Sequence, residues 1–293
     1  MAAPVLHSDI LNTLGAEIAG GSLQAGDVLT LAGLEERFGV SRTVVREAMR
    51  ILESLGMVSA KRRVGLTVQP PGSWSVLDPQ VIAWRLAGAG RAEQLRSLTQ
   101  LRVALEPTAA RLAAQTARHT GPELTTLAAR LRELGEQGLG DTPEYLQIDV
   151  QFHTLLLTSG GNEMFAALAG SVAEVLTGRT RLGLTPAHPA HAAVENHEEL
   201  ARAIGAGDAV RAEAHARAVL DTVWAEVDYA SQMERDAGQM GHEVQPARGV
   251  EPGRDGAGAG PAPGGDAVGG DAVAGDNAVA GDNAVGGNAL ATG

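Results

Sequence analysis

The sequence predicts a mainly α protein in three parts: a small N-terminal domain of three helices and one hairpin, an all-helical bundle, and a disordered C-terminal tail. Three observations carry this. Apolar residues recur at three- and four-residue spacing from Leu6 to Leu55 and again from about residue 77 to 231. Between these stretches, Met57-Val58-Ser59-Ala60 and Leu66-Thr67-Val68-Gln69 flank a short basic turn, as two strands of a hairpin would. From about residue 235 the sequence collapses into Gly, Ala, Pro, Asp and Asn, with too little apolar surface to offset the entropy of ordering. The expected boundaries are 1–70 for the first domain, 71–77 for a linker, 78–231 for the bundle and 232–293 for the tail.

The first domain follows element by element. Leu6, Ile10, Leu14 and Ile18 recur every four residues and define a first helix, which Gly20-Gly21 ends. Thr30 is placed to cap a short second helix carrying Leu31, Leu34 and Phe38. After the turn Gly39-Val40-Ser41, Ser41 can cap a third helix, Arg42 to Leu55, with Val45, Met49 and Leu52 inward and a left-handed glycine, Gly56, at its end. The hairpin follows, with Lys61-Arg62-Arg63-Val64-Gly65 as its turn. Helix, helix, turn, helix and basic hairpin make a winged helix-turn-helix.

Charge places a nucleic-acid interface here. The chain is acidic overall, at −12, which argues against a general affinity for nucleic acid. Yet Arg37, Arg42, Arg46, Arg50, Lys61, Arg62 and Arg63 crowd into one short stretch, opposed only by Glu47 and Glu53. The third helix suits a major groove. Arg42 and Arg46, one turn apart, share a face and can reach guanine or phosphate. Ser41 and Thr43 suit phosphate at the helix start. The turn from Lys61 through Arg62 and Arg63 to Gly65 can follow the backbone or enter the minor groove. A solvated helix face is the alternative for any one of these arginines.

The second part reads as seven helices, at 78–87, 92–118, 122–137, 143–159, 162–179, 191–206 and 208–230, and so as a packed bundle. Asp149 and His153 lie four apart on one of them and share a face, and His197 sits on a later helix. A carboxylate with imidazoles is a set that Zn²⁺, Ni²⁺ or Mn²⁺ accepts; a salt bridge or a core histidine is the plainer reading. Arg102 interrupts an apolar stripe. It needs an anion, either Glu106 four residues on or the carboxylate of a bound effector. Arg179 and Arg181 can line the same cavity as Arg102, but a solvated helix end is the plainer reading.

Composition narrows the setting. No run of eighteen apolar residues occurs, so no membrane helix is expected. Met1 to Asp9 lacks the pattern of a signal peptide, and cysteine is absent, which excludes disulfides and thiolate metal sites. A cytoplasmic protein is expected.

The stretch from Phe38 through Gly39-Val40-Ser41-Arg42-Thr43-Val44-Val45-Arg46-Glu47-Ala48 to Leu52 resembles the GntR family of bacterial regulators, in which a GVSRTPVREAL segment forms the turn and recognition helix. Val44 replaces the usual proline, and Ala32 stands where some members place a DNA-contacting arginine. Leu101-Arg102-Val103-Ala104-Leu105-Glu106-Pro107 and Asp149-Val150-Gln151-Phe152-His153 resemble the FadR branch, with its FCD ligand-binding domain, and the segment from Leu77 to Trp84 is similar to galactonate-operon repressors. The resemblance implies a homodimeric repressor on operator DNA, controlled by a small organic or sugar acid. It places metal ligands at Asp149, His153 and His197, and a further histidine where this chain has Val219. His215, one turn earlier, is about 6 Å away by helix geometry. A sensor without effector response, and a metal-dependent enzyme using the same three residues, are the alternatives.

Overall fold

A computed structural model describes residues 3–61, 65–224 and 227. Helix α1 (Ala3–Ala19) buries Ile10, Leu11, Leu14 and Ile18. Strand β1 (Val28–Leu29) precedes α2 (Leu31–Phe38), whose N-terminus is capped by the Thr30 hydroxyl accepting from Gly33 N at 3.1 Å. Helix α3 (Arg42–Ser54) turns Val45, Ala48, Met49 and Leu52 inward. Ser41 stands at its N-cap, but its side chain makes no capping bond there; only its carbonyl accepts, from Val44 and Val45. The expected cap therefore reduces to backbone geometry, and the hydroxyl stays exposed.

Strands β2 (Val58–Lys61) and β3 (Gly65–Val68) form the hairpin, shifted by one residue from the expected bounds. The sheet has the order β1-β3-β2, all antiparallel, with Val28 opposite Thr67 and Val58 opposite Val68. The sequence did not announce β1, because two residues carry no periodicity. Gly56 has φ 71°, and a β-carbon there would stand 2.1 Å from the Ser73 carbonyl oxygen, so helix end and linker can meet only over a glycine.

The linker is docked. A 3₁₀ turn at Pro71–Ser73 leads to Trp74, which is buried in the first domain's core and donates its indole N–H to the Gln69 carbonyl at 2.9 Å. Helix α4 (Pro79–Ala87) then serves two cores. Val81 and Trp84 pack with α1 and α3, whereas Ile82 and Leu86 pack with Leu95, Leu98, Val175 and Val223 of the bundle.

The bundle contains α5 (Arg91–Thr116), α6 (Gly121–Glu136), α7 (Pro143–Ser159), α8 (Glu163–Ala167), α9 (Ala169–Arg181), α10 (His191–Ala206) and a further helix, α11, over 209–224. The single helix expected over 162–179 is two. The Leu168 amide bonds Phe165, three residues back, which tightens the last turn of α8 before α9 begins. No glycine or proline marks that break. Helix α6 packs between α7 and α10, and α9 packs on α7 and α4. The expected tail at 232–293 and the turn residues Arg62 and Arg63 lie outside the described residues.

Candidate DNA interface and sensor cavity

The first site is a surface. Ser41, Arg42, Thr43 and Arg46 are all exposed on the first turns of α3, and Lys61 is exposed at the end of β2. Arg46, Arg50, Lys61 and Gly65 line one groove of about 320 Å³ between α3 and the hairpin. Arg50 joins that groove one turn after Arg46, an i, i+4 relation that sequence reasoning left unused. Arg42 lies 3.8 Å from the half-buried Glu35, and Arg50 bonds the exposed Glu47 at 3.0 Å; both arginines are exposed, and such surface pairs are weak. Arg37 belongs elsewhere: it makes two hydrogen bonds to Glu17 of α1. The hairpin is held to α3 by Glu53, whose carboxylate accepts from Ala60 N at 3.0 Å.

The second site is a cavity in the bundle, with about 50 Å³ open to water-sized molecules. It brings Arg102 of α5, Asp149 and His153 of α7, Arg179 of α9, His197 of α10 and Val219 of α11 together. Arg102, His153, Arg179 and His197 are buried, and Asp149 is partly so. Arg179 therefore is not part of a solvated helix end; it faces inward while Arg181 is exposed.

The polar contacts are specific. Arg102 Nε donates to Glu106 Oε1 at 2.6 Å, and its Nη2 also points toward Glu106. That edge of the guanidinium is committed to Glu106, and Nη2 also lies 3.3 Å from His153 Nε2. Arg102 Nη1 is buried without a hydrogen-bond partner. His153 Nδ1 lies 2.8 Å from Glu106 Oε2, and its Nε2 lies 3.4 Å from Asp149 Oδ1. His197 Nδ1 donates to the Ala193 carbonyl at 2.8 Å. A carbonyl only accepts, so the proton sits on Nδ1 and Nε2 carries a bare lone pair. That Nε2 is buried, has no hydrogen-bond partner, and lies 3.8 Å from Asp149 Oδ1. Phe152 packs edge-on against both imidazoles.

Burial raises the Glu106 carboxyl, but the Arg102 and His153 charges outweigh it and hold the group at about 2. Burial likewise raises Asp149, and the His153 hydrogen bond with the neighbouring cations brings it well below the ordinary carboxylate range. Burial lowers His153, yet Glu106 and Asp149 carry it up to about 9. His197 is pushed down by burial and by the His153 cation.

The donor set fits a divalent ion. One ligand atom from each of Asp149, His153 and His197 lies within 4.8 Å of the others. Metal bonds of about 2.0–2.1 Å at tetrahedral angles require ligand separations of about 3.4 Å, close to the 3.4 and 3.8 Å found here. A buried lone pair 3.8 Å from a carboxylate oxygen suits a shared cation. Val219 lines the same cavity, and His215, one turn earlier, bonds Asn196 Oδ1 at 2.9 Å.

Comparison with known proteins places the two domains. The gntR family of bacterial regulatory proteins matches residues 6–68, and the FCD domain matches residues 97–222. The chain is 30% identical over 158 residues to the uncharacterized HTH-type transcriptional regulator YieP of Escherichia coli, a match covering 53% of this chain and 66% of that one. It is 29% identical over 167 residues to the galactonate operon transcriptional repressor of E. coli, covering 57% and 72%. It is also 29% identical over 213 residues to the HTH-type transcriptional regulator LutR of Bacillus subtilis, covering 70% and 94%. The chain belongs to the GntR family of bacterial DNA-binding transcriptional regulators, in the FadR-type branch whose effector-binding domain is FCD.

Proposed function

We propose that the chain is a homodimeric repressor that releases its operator when a small organic or sugar acid enters the FCD cavity beside a divalent metal. One observation carries the proposal. The cavity holds two buried, unmet polar needs of opposite kind: the Arg102 Nη1 donor seeks an anion, and the His197 Nε2 lone pair seeks a cation. An acid and a metal together satisfy both. Asp149, His153 and His197 would hold the metal, which supplies a positive charge at the side left open by Val219. Arg102 would take a carboxylate oxygen through Nη1. The related galactonate operon protein is a repressor, which supports a sugar acid as effector and repression as the sign.

Two recognition helices related by a two-fold axis would read a pseudo-palindromic operator. Arg42 and Arg46 would reach base edges or phosphate, Ser41 and Thr43 phosphate, and Lys61 with the turn through Arg62, Arg63 and Gly65 the flanking backbone.

Transmission would run through α4. On the bundle side, Leu86 presses on α9 at Gly178, where a β-carbon would lie 2.5 Å from it; the next residue, Arg179, and Leu176 line the cavity. On the other side, Trp84 sits on α1 and donates to Asn12 Oδ1 at 3.1 Å. A shift of α9 would therefore reach the recognition helix through close-packed contacts, and DNA and acid would oppose each other by equal factors.

A thermal-shift screen tests the ligand reading. The metal-loaded protein, challenged with galactonate, gluconate and lactate, should gain stability with one of them, and Arg102→Ala should not respond. Equal gains in wild type and variant would remove Arg102 from the acid site.

A further inference from the structure

Glu106 belongs to neither ligand set, yet it is the residue that both share. It lies on α5, is 1% exposed, and divides its two oxygens between Arg102 and His153. Arg102 Nε donates to Oε1 at 2.6 Å and so orients the carboxylate. Oε2 is then presented to His153 Nδ1 at 2.8 Å. A carboxylate only accepts, so a proton is held on Nδ1; Nε2 faces the Asp149 carboxylate, Oδ1 3.4 Å away, and becomes the ligating atom once a metal displaces its proton.

The other imidazole is oriented differently. His197 donates its Nδ1 proton to a neutral peptide carbonyl one turn back on its own helix, Ala193 at 2.8 Å. The Nδ1 of His153 instead faces a charge on another helix, the Glu106 carboxylate, while its Nε2 faces Asp149 one turn back.

We infer that Glu106 is the positioning residue of the metal site, fixing the tautomer and aim of His153 through Nδ1 while Arg102 fixes Glu106 in turn. This rests on the reading that Asp149, His153 and His197 hold a divalent cation. An outer carboxylate of this kind raises the basicity of the imidazole and sets its direction, and its loss typically weakens metal binding by about 10- to 100-fold. A purely structural Glu106 would serve only as the counter-ion of Arg102, and its removal together with Arg102 would leave metal affinity untouched.

Zinc alone is the probe. The metal-free full chain is titrated with Zn²⁺ against a chromophoric chelator, as wild type, as Glu106→Gln and as the pair Arg102→Met with Glu106→Met. The pair removes both buried charges for side chains of similar volume, an exchange that buried ion pairs commonly tolerate. Both variants should unfold cooperatively and bind zinc about 10- to 100-fold more weakly than wild type. Wild-type affinity in a folded variant pair would overturn the inference. Ring-nitrogen NMR of the wild-type zinc complex provides a check that needs no variant: His153 should carry the metal on Nε2 and its proton on Nδ1, and zinc on Nδ1 would overturn the assignment. A wild type that binds no zinc would defeat the metal reading and this inference with it, a different result from equal affinity in both proteins.

Discussion

Trp84 of α4 rests on Gly15 of α1 so closely that a β-carbon at Gly15 would stand 2.5 Å from the indole ring. The same tryptophan donates to Asn12 one turn earlier. This contact joins the DNA-binding domain to the helix that also packs on the bundle, and the proposed transmission runs through it.

Gly15→Ala distinguishes a passive helix from a keyed one. In an ordinary helix interior, alanine in place of glycine stabilises by about 1 kcal/mol. Here the methyl must displace a buried ring, and overpacking of this kind costs about 1–3 kcal/mol. Thermal unfolding should therefore show a loss, and operator binding should become less sensitive to the acid. A stabilised variant with full acid response would take Trp84 out of the pathway.

Arg46→Ala should weaken operator binding by about 1–3 kcal/mol and leave the unfolding temperature unchanged, since the side chain is exposed in the groove beside the hairpin. Lys61→Ala should weaken binding to all sequences alike and lower the salt slope by about one. Gel shifts at several salt concentrations measure both effects, and an unaltered Arg46→Ala affinity would remove that residue from the interface.

The buried charges make a pH signature. In the metal-free protein, His153 is raised from 6.5 to about 9, so its contribution to stability is whole below pH 6.5 and lost as pH rises through 9. Glu106 is lowered from 4.5 to about 2, so its contribution is whole above pH 4.5 and lost as pH falls through 2. The joint contribution of Glu106 and His153 should be greatest between about 4.5 and 6.5, while His197, held below its ordinary value, opposes it as pH falls below 6.5. Bound zinc must displace the His153 proton, so the zinc complex should gain on the metal-free protein as pH rises toward 9. Unfolding curves at pH 6 and pH 8.5, with and without zinc, measure this; a zinc stabilisation independent of pH would contradict it.

Val219 is buried on the wall of the same cavity. Val219→His should add an imidazole to the three-residue set and tighten zinc binding at least about tenfold, at a packing cost of about 1–3 kcal/mol. Isothermal titration would show it, and unchanged affinity would mean that position 219 does not face the ion.

Much of this was legible in the sequence, and the gaps have physical causes. Val45, Met49 and Leu52 gave α3 its inward face, and Asp149 with His153 gave half of the cavity, because helical spacing is written along one stretch of chain. Glu106 was visible as a partner for Arg102 four residues away. Its second partner, His153, is brought in by packing of α5 on α7, which no local spacing reports. Arg179 was misjudged for the same reason: whether an arginine near a helix end faces solvent or a cavity depends on the neighbouring helices. Strand β1 was too short for any pattern, and the break at Leu168 has no breaker residue to mark it.

The most direct measurement is a gel shift on the promoter region beside the gene for this protein, titrated with galactonate, gluconate and lactate, for wild type and Arg102→Ala. The account predicts a sequence-specific complex with both proteins, released by one acid in the wild type and retained by the variant. Release of both proteins by the same acid concentration, or a specific complex that none of the acids disturbs, would contradict control of the operator through Arg102 by these acids.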